Sequence, residues 1–248
     1  MTQRRSTPLV VPTADPHVCT PGVRLRMLAR VPLFADLDVH DIAQVDRRCQ
    51  AHAFEAGAVV YHAGAPATRM YVVATGAVKA VRPALDGRET ILDLCAPGDF
   101  LGAVPALGED VYSDTAWAVS ASCLLGLEAH DFDAIMERFP AVARATLRGV
   151  SRRLSQAQQA VHLLAGAPLE QRLAAKMLLI ADKMGRPWDG GILLDVPLTR
   201  EDLASMTGAA PESVSRLLSG WRREGLIDSG RRWIAVRDPK ALHSLRDA

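Results

Sequence analysis

The segment from Leu198 to Leu218, LTREDLASMTGAAPESVSRLL, limits the fold of this chain more than any other stretch. Thr199 is a good N-cap for a first short helix, and Gly208 suits the tight turn that ends it. Pro211 suits the first position of a second helix. Apolar and small residues recur at helical spacing on both sides of the turn: Leu203, Ala204, Met206, Val214, Leu217 and Leu218. The segment predicts two crossing helices joined by a tight turn, which is the helix-turn-helix pattern.

A basic hairpin follows this pattern. The sequence GLIDSG at 225–230 runs into RRWIAV at 231–236, which predicts a two-stranded wing with Arg231 and Arg232 at its tip. The formal net charge of the 248-residue chain is only +1, so binding to nucleic acid would need a local patch of positive charge. Arg222 and Arg223, together with the two wing arginines, supply such a patch.

The exposed face of the second helix offers Glu212, Ser215 and Arg216 as base-reading residues. Glu212 and Arg216 lie one turn apart; arginine pairs with guanine bidentately, and glutamate accepts from cytosine N4. The alternative is a surface ion pair between Glu212 and Arg216. Hydroxyl and guanidinium groups around this face are predicted to contact phosphates: Thr199, Arg200, Ser213, Arg222, Arg231 and Arg232.

A heptad seam runs through the middle of the chain after Pro140. Its residues are spaced alternately four and three apart: Ala143, Leu147, Val150, Leu154, Ala157, Val161 and Leu164. A narrow stripe of this kind favours a helix that pairs with a second copy in a homodimer. The alternative is an amphipathic helix packed on its own domain.

Between about residues 51 and 128, short runs of strand-forming residues alternate with glycines. Six β-rich runs predict an antiparallel barrel or roll, and Asp86-Gly87 predicts a hairpin turn between two of them. The runs are 58–61, 70–73, 77–81, 90–94, 115–119 and 124–127.

The remaining segments complete a four-part organisation. Residues 24–47 read as helical with a break at Pro32, residues 169–184 read as a helix, and a short polar hairpin covers 186–191. We therefore expect an α+β chain. Its parts are a flexible tail (1–23), an antiparallel β-roll sensor (24–139), a long dimerisation helix (140–165) and a winged helix-turn-helix domain (166–248).

Composition indicates an ordinary globular protein, with 49% apolar and 23% charged residues. No apolar run approaches the roughly 20 residues of a membrane span, and the N-terminus lacks the apolar core of a secretion signal, so a cytoplasmic location without a membrane partner is expected. Four cysteines are then expected to be reduced thiols: Cys19, Cys49, Cys95 and Cys123.

The chain resembles the CRP/FNR family, the relatives of the cyclic-AMP receptor protein and the oxygen regulator FNR. The resemblance covers about residues 24–240, including the glycine-marked roll with its motif PGDFLG at 97–102, the long helix and the winged domain. The motif ESVSR at 212–216 is most similar to the FNR-type subgroup. The resemblance implies a double-stranded β-helix of the cyclic-nucleotide-binding type. It also implies a homodimeric bacterial regulator that binds inverted TTGA-type half-sites in double-stranded DNA, activates or represses transcription, and works with RNA polymerase.

The effector pocket of the family is altered in this sequence. The family places a glycine-glutamate pair against the ribose and an arginine followed by Ser or Thr against the cyclic phosphate. Here Gly102 is followed by Ala103, and Asp114 followed by Thr115 occupies the phosphate position. An aspartate would repel a phosphate, so ordinary cyclic AMP binding is not expected.

Other functions stay open at this stage. Within the family, the alternatives are a cyclic-AMP-responsive regulator with an atypical pocket, or a redox or gas sensor using cysteines, an iron–sulfur cluster or haem. Candidate haem ligands are the single histidines His17, His52, His62 and His130. More remote hypotheses are a cupin-like metalloenzyme, for which the roll offers only His52 and His62, and a signalling module that does not touch DNA. The sequence identifies no cofactor or small-molecule effector, no target gene and no sign of regulation.

Overall fold

The computed structural model describes residues 8–9, 20–83, 89–102 and 110–248. The strands over these residues are β1 (Cys49–Phe54), β2 (Val59–Tyr61), β3 (Arg69–Thr75), β4 (Val78–Pro83), β5 (Glu89–Cys95), β6 (Phe100–Gly102), β7 (Thr115–Ala118), β8 (Ser122–Glu128), β9 (Gly185–Trp188), β10 (Gly191–Leu194), β11 (Ile227–Gly230) and β12 (Trp233–Val236). The helices are α1 (Pro21–Leu28), α2 (Val39–Asp46), α3 (Ala129–Arg138), α4 (Pro140–Gly166), α5 (Leu169–Met184), α6 (Arg200–Thr207), α7 (Pro211–Arg223) and α8 (Pro239–Asp247). Within the described ranges, no helix combines the length and the apolar character needed to cross a membrane.

The β-roll consists of two four-stranded antiparallel sheets. One has the order β1-β8-β3-β6 and the other the order β2-β7-β4-β5. All six predicted runs form strands, which confirms the α+β class and the roll. The strands β1 and β6 were not predicted, because CQAHAF lacks a regular alternation and FLG is only three residues long. The predicted turn at Asp86-Gly87 lies outside the described residues.

Two apolar clusters pack on opposite sides of the first sheet. In β3, Val73 belongs to the cluster of the roll interior, whereas Met70 and Val72 belong to a cluster shared with the helices. Because side chains alternate along a strand, β3 is buried on both faces, and its central residues form an almost continuous apolar run.

The predicted helical region 24–47 forms two helices, α1 and α2, separated by a turn that contains Pro32. Asp38 caps α2 by accepting from the amide of Asp41 at 2.8 Å. The guanidinium of Arg24 donates to both carboxylate oxygens of Asp46, at 2.9 and 2.8 Å, and so joins the two helices.

The long helix α4 has two different apolar faces. Val142, Ala145 and Thr146 are buried, and Val142 and Ala145 lie on the face of α4 that packs against the roll. The predicted seam instead leaves its large side chains open to solvent: Leu147 is 70% exposed, Leu154 58% and Val161 67%. The seam is therefore not the face with which α4 packs on its own domain.

The winged domain builds a four-stranded sheet of order β11-β12-β10-β9 beside its helices. Helix α5 has the predicted bounds, and Leu173, Met177 and Ile180 are buried as expected. The predicted polar hairpin at 186–191 is the β9–β10 turn region of this sheet. The described residues within 1–10, 83–91 and 157–248 group into one compact unit, and those within 11–82 and 92–156 into the other.

The cysteines differ from the prediction of four reduced thiols. Cys123 is disulfide-bonded, whereas Cys49 and Cys95 are free and buried. The prediction failed at Cys123 because it rested only on the redox conditions of the expected compartment. Burial raises the pKa of the Cys49 thiol to about 12, so this cysteine is a protonated core residue. Cys19 lies outside the described residues.

Candidate nucleic-acid interface

The first helix of the helix-turn-helix begins with a reciprocal cap. The Thr199 hydroxyl accepts from the amide of Asp202 at 3.0 Å, and Asp202 Oδ2 accepts from the amide and the hydroxyl of Thr199. This capping box satisfies backbone donors that the helix itself leaves unpaired. Both donors of Thr199 are thus directed to Asp202, and the phosphate contact of Thr199 stays a prediction.

The turn between the two helices has the predicted geometry. Gly208 adopts a left-handed conformation with φ 61°, and Pro211 occupies the first turn of α7. Leu203, Val214 and Leu218 are fully buried between the helices, whereas Leu217 is only half-buried. The two helices are therefore locked together by apolar packing.

Helix α7 presents its polar face to solvent. Glu212 and Arg216 are exposed, and Ser215 is half-buried. Over the described residues these two charged side chains form no ion pair with each other; Arg216 Nη2 instead lies 3.4 Å from Ser213 Oγ. The alternative of a surface ion pair is not realised here, and both charged groups are available to a ligand.

Two arginines on different helices lie within electrostatic reach of each other. The pKa of Arg200, which is half-buried at the start of α6, is lowered, first by burial and then by the positive charge of Arg222 on α7. An anion placed between them would relieve both effects, because it offsets the desolvation and the repulsion.

The wing carries two further arginines at its tip. Arg231 and Arg232 connect β11 to β12, and both are exposed. Arg232 has φ 61°, a region that costs a non-glycine residue about 1 kcal/mol. The residue that follows, Trp233, is 2% exposed and anchors the tip to the sheet.

Ser205 is a polar residue of α6 that the sequence did not single out. Its hydroxyl donates to the carbonyl of Glu89 at 2.7 Å and accepts from the amide of Ile91 at 2.8 Å. A single serine carries no signal in the sequence, because its partners are backbone groups more than 110 residues away.

Three tyrosines lie in the roll interior beside residues of the predicted effector pocket. The rings of Tyr61 and Tyr112 stack at 4.0 Å with an interplanar angle of 17°, and Tyr71 lies 6.1 Å from Tyr61. All three are buried in the cluster that includes Leu101 and Leu124. Aromatic packing of this kind stabilises the roll.

The predicted pocket residues lie around these rings. Asp114 accepts from the Tyr61 hydroxyl at 3.0 Å and from the Ser113 hydroxyl at 3.2 Å, and Thr115 Oγ1 accepts from the amide of Ala63. Gly102 has φ 93°, and a Cβ there would lie 2.9 Å from the Arg69 carbonyl. Ala103 lies outside the described residues. Within the described ranges, no group of three or more His, Cys, Asp or Glu residues could hold a metal ion.

Two family models match the chain. One, described as a cyclic nucleotide-binding domain, matches residues 51–139, and the other, a Crp-like helix-turn-helix domain, matches residues 171–245. The cyclic AMP receptor protein of Thermus thermophilus is 29% identical over 214 residues, which cover 86% of this chain and 96% of that protein.

Two solved structures are similar as a whole. A CRP-family transcriptional regulator from Thermus thermophilus is 30% identical, with a TM-score of 0.67 over 79% of this chain and 97% of that one. The FixK2 structure from Bradyrhizobium japonicum is 25% identical, with a TM-score of 0.72 over 81% of this chain and 98% of that one.

Proposed function

Because this chain belongs to the CRP/FNR family of transcription regulators, which are not enzymes, we propose that it binds a palindromic DNA operator as a homodimer and reads inverted TTGA-like half-sites. The single observation that carries the proposal is the exposed polar face of α7, on which Glu212 and Arg216 are exposed beside Ser215. The proposed site of action is the cytoplasm, where the operator and RNA polymerase would be its partners.

Base reading is assigned to this face because of its chemistry. Arg216 has the donors to bind guanine O6 and N7, and Glu212, one helical turn away, can accept from cytosine N4. Ser215 lies between them and can bond to either a base or a phosphate. Since Glu212 and Arg216 do not pair with each other, no ion pair between them has to be broken before DNA binds.

Phosphate contacts are assigned to residues around that face. The adjacent charges of Arg200 and Arg222 favour an anion between the two helices, and Arg231 and Arg232 offer guanidinium groups at the wing tip. Ser213 lies beside Arg216 on the first turn of α7, where amide groups also favour an anion. Such contacts position the protein without reading the sequence.

The dimer is assigned to the seam of α4. Leu147, Val150, Leu154, Val161 and Leu164 are all large apolar residues exposed along one stripe of this helix. An isolated chain would leave this stripe in water at a cost, which a second copy related by a two-fold axis removes. Ala143 and Ala157 in the same seam allow the two helices to approach closely.

We propose that a signal at the roll controls DNA binding, and that this signal is not ordinary cyclic AMP. The sequence assigns Asp114 to the position of the phosphate-binding arginine, and its carboxylate accepts from Tyr61, which stacks on Tyr112. Burying a phosphate beside a carboxylate is unfavourable, because the two negative charges repel each other. A cyclic-AMP-responsive protein with an atypical pocket is the second candidate, which the match to the cyclic nucleotide-binding domain favours.

The proposed function is tested by DNA titration of the full chain. Three duplexes of equal length are compared: a TTGA palindrome, a single half-site and a shuffled sequence, each at several salt concentrations. We expect the palindrome to bind at least about 10³-fold more tightly than the shuffled duplex, with affinity falling as salt rises. Equal binding to the palindrome and the shuffled duplex would overturn sequence-specific reading, and equal binding to the half-site and the palindrome would overturn the dimeric mode.

A further inference from the structure

The sheet of the winged domain has two apolar faces, and one of them faces α5. A Cβ on Gly185 would meet both the Ala181 carbonyl of α5 and the side chain of Ile192, so the face that bears Ile192 is the one toward α5. Leu193 pairs with Arg186 and with Ala235, which puts these side chains on the opposite face. Trp188 and Trp233, two residues along their strands, share that outer face.

The outer face is nonetheless buried. Leu193 and Ala235 are 0% exposed and Trp233 is 2% exposed, and together they form an apolar cluster of their own. Leu9 and Trp188 are the partly buried residues that pack against this cluster. A residue from the start of the chain therefore helps to cover a sheet near its end.

Polar groups fix the covering segment in place. The guanidinium of Arg186 donates to the carbonyl of Pro8, and it also lies 3.2 Å from the Asp195 carboxylate. Pro8 has no amide hydrogen, so its carbonyl is its only backbone hydrogen-bonding group. On the apolar side, the rings of Trp188 and Trp233 meet edge to face at 5.4 Å, and Arg237 stacks over Trp188 at 4.8 Å.

We propose that Arg186, Trp188, Leu193 and Trp233 form a peptide-docking surface, and that its occupant is the chain's own N-terminal segment at Pro8-Leu9. The surface recognises two features of an extended peptide: an apolar side chain, which enters the tryptophan cluster, and the carbonyl before it, which Arg186 binds. The prediction of a flexible tail for residues 1–23 did not include this contact, because the polarity of a segment does not reveal a single leucine with a matching surface elsewhere.

Docking has a direct consequence for the wing. Trp233 begins β12, immediately after Arg231 and Arg232, and β12 pairs with both β11 and β10. Covering Trp233 and Leu193 holds the two central strands of this sheet. Docking of Leu9 thus stabilises the strand that leaves the wing tip, independently of whether DNA is bound.

Hydrogen exchange of the full chain tests the proposal. Leu9→Asp puts a charge into the tryptophan cluster, and Val39→Asp is the matched control, since Val39 is an apolar residue 84% exposed in the roll region. In Leu9→Asp we expect amides of 185–194 and 227–236 to exchange at least about tenfold faster, with 211–223 and the roll unchanged. Val39→Asp should leave the exchange of the winged domain as in the parent chain.

A second variant, deletion of residues 2–9, should reproduce the pattern of Leu9→Asp. Unchanged exchange of 185–194 and 227–236 in both variants would overturn the proposal, because the surface would then be covered by something other than Pro8-Leu9. A uniform acceleration over the whole chain would also overturn it, since this would show a general loss of stability.

Discussion

The hydroxyl of Tyr61 donates a hydrogen bond of 3.0 Å to Oδ1 of Asp114. This bond joins the buried tyrosine stack of the roll to the carboxylate that the sequence assigns to the cyclic-phosphate position of the family. The phenol is buried, so its hydroxyl depends on partners inside the protein, and Asp114 is the charged one among them.

The two substitutions at this pair should therefore lower the free energy of unfolding by different amounts. Tyr61→Phe removes one hydrogen bond and is expected to lower the free energy of unfolding by about 1 kcal/mol. Asp114→Ala should cost about 2 kcal/mol, because it removes the charged hydrogen-bond partner of the buried phenol. Urea denaturation measures both values. A cost for Tyr61→Phe larger than that for Asp114→Ala would contradict this account of the bond.

The same pair predicts a response to alkaline pH. Burial, with the charge of Asp114, raises the pKa of Tyr61 well above its unfolded value of about 10. The native state keeps this proton at a pH where the unfolded state has lost it, so the free energy of unfolding falls as pH rises above about 10, by up to about 1.4 kcal/mol per unit. Tyr61→Phe should show a shallower fall. Equal slopes for the two proteins would contradict a buried, protonated phenol.

Cyclic AMP should not stabilise the protein. A ligand present at 100 times its Kd and bound only to the native state adds about 2.7 kcal/mol, which would raise the Tm by several degrees. With cyclic AMP in the micromolar range we expect no change in Tm in a thermal melt. A saturable rise in Tm would mean that Asp114 does not face the bound phosphate.

The dimer seam can be tested with one charge. Leu154→Glu would place a carboxylate in an apolar interface, and we expect sedimentation velocity to show monomers that lose operator binding. Gln158→Glu, an exposed residue of the same helix outside the seam, is the matched control and should stay dimeric. A dimeric Leu154→Glu protein would show that the seam is not the interface.

The helix cap at Thr199 should contribute more to stability than to DNA binding. Thr199→Ala removes the hydroxyl of the capping box and is expected to cost about 1 kcal/mol of unfolding free energy. Thr199→Ser keeps the hydroxyl and should restore most of it. If Thr199→Ala were as stable as the parent chain but bound DNA weakly at every sequence, the hydroxyl would be a phosphate contact, as the sequence first suggested.

Local patterns made most of this fold predictable. Gly208, Pro211 and the helical spacing of the apolar residues on either side of them predicted both α6 and α7. Caps, turns and helical periodicity act over a few residues, so they can be recognised in the sequence. The three-residue strand β6 was missed, since its pairing with β3 is set by the sheet and not by its own sequence. The contacts of Ser205 with Glu89 and Ile91, and of Leu9 with the tryptophan cluster, were missed for the same reason, because both join residues far apart in the chain.

Arg216 gives the most direct test of the central claim that α7 reads DNA sequence. Arg216→Ala and the control Arg231→Ala are titrated against a TTGA palindrome and against the same duplex with the guanine replaced, at several salt concentrations. Arg216→Ala should cost about 1–3 kcal/mol per half-site on the palindrome and bind both duplexes almost equally. Arg231→Ala should weaken both duplexes alike and reduce the salt slope by about one unit per contact. If Arg216→Ala loses the same affinity for both duplexes and still prefers the guanine, Arg216 contacts only the backbone, and the reading code proposed for α7 is wrong.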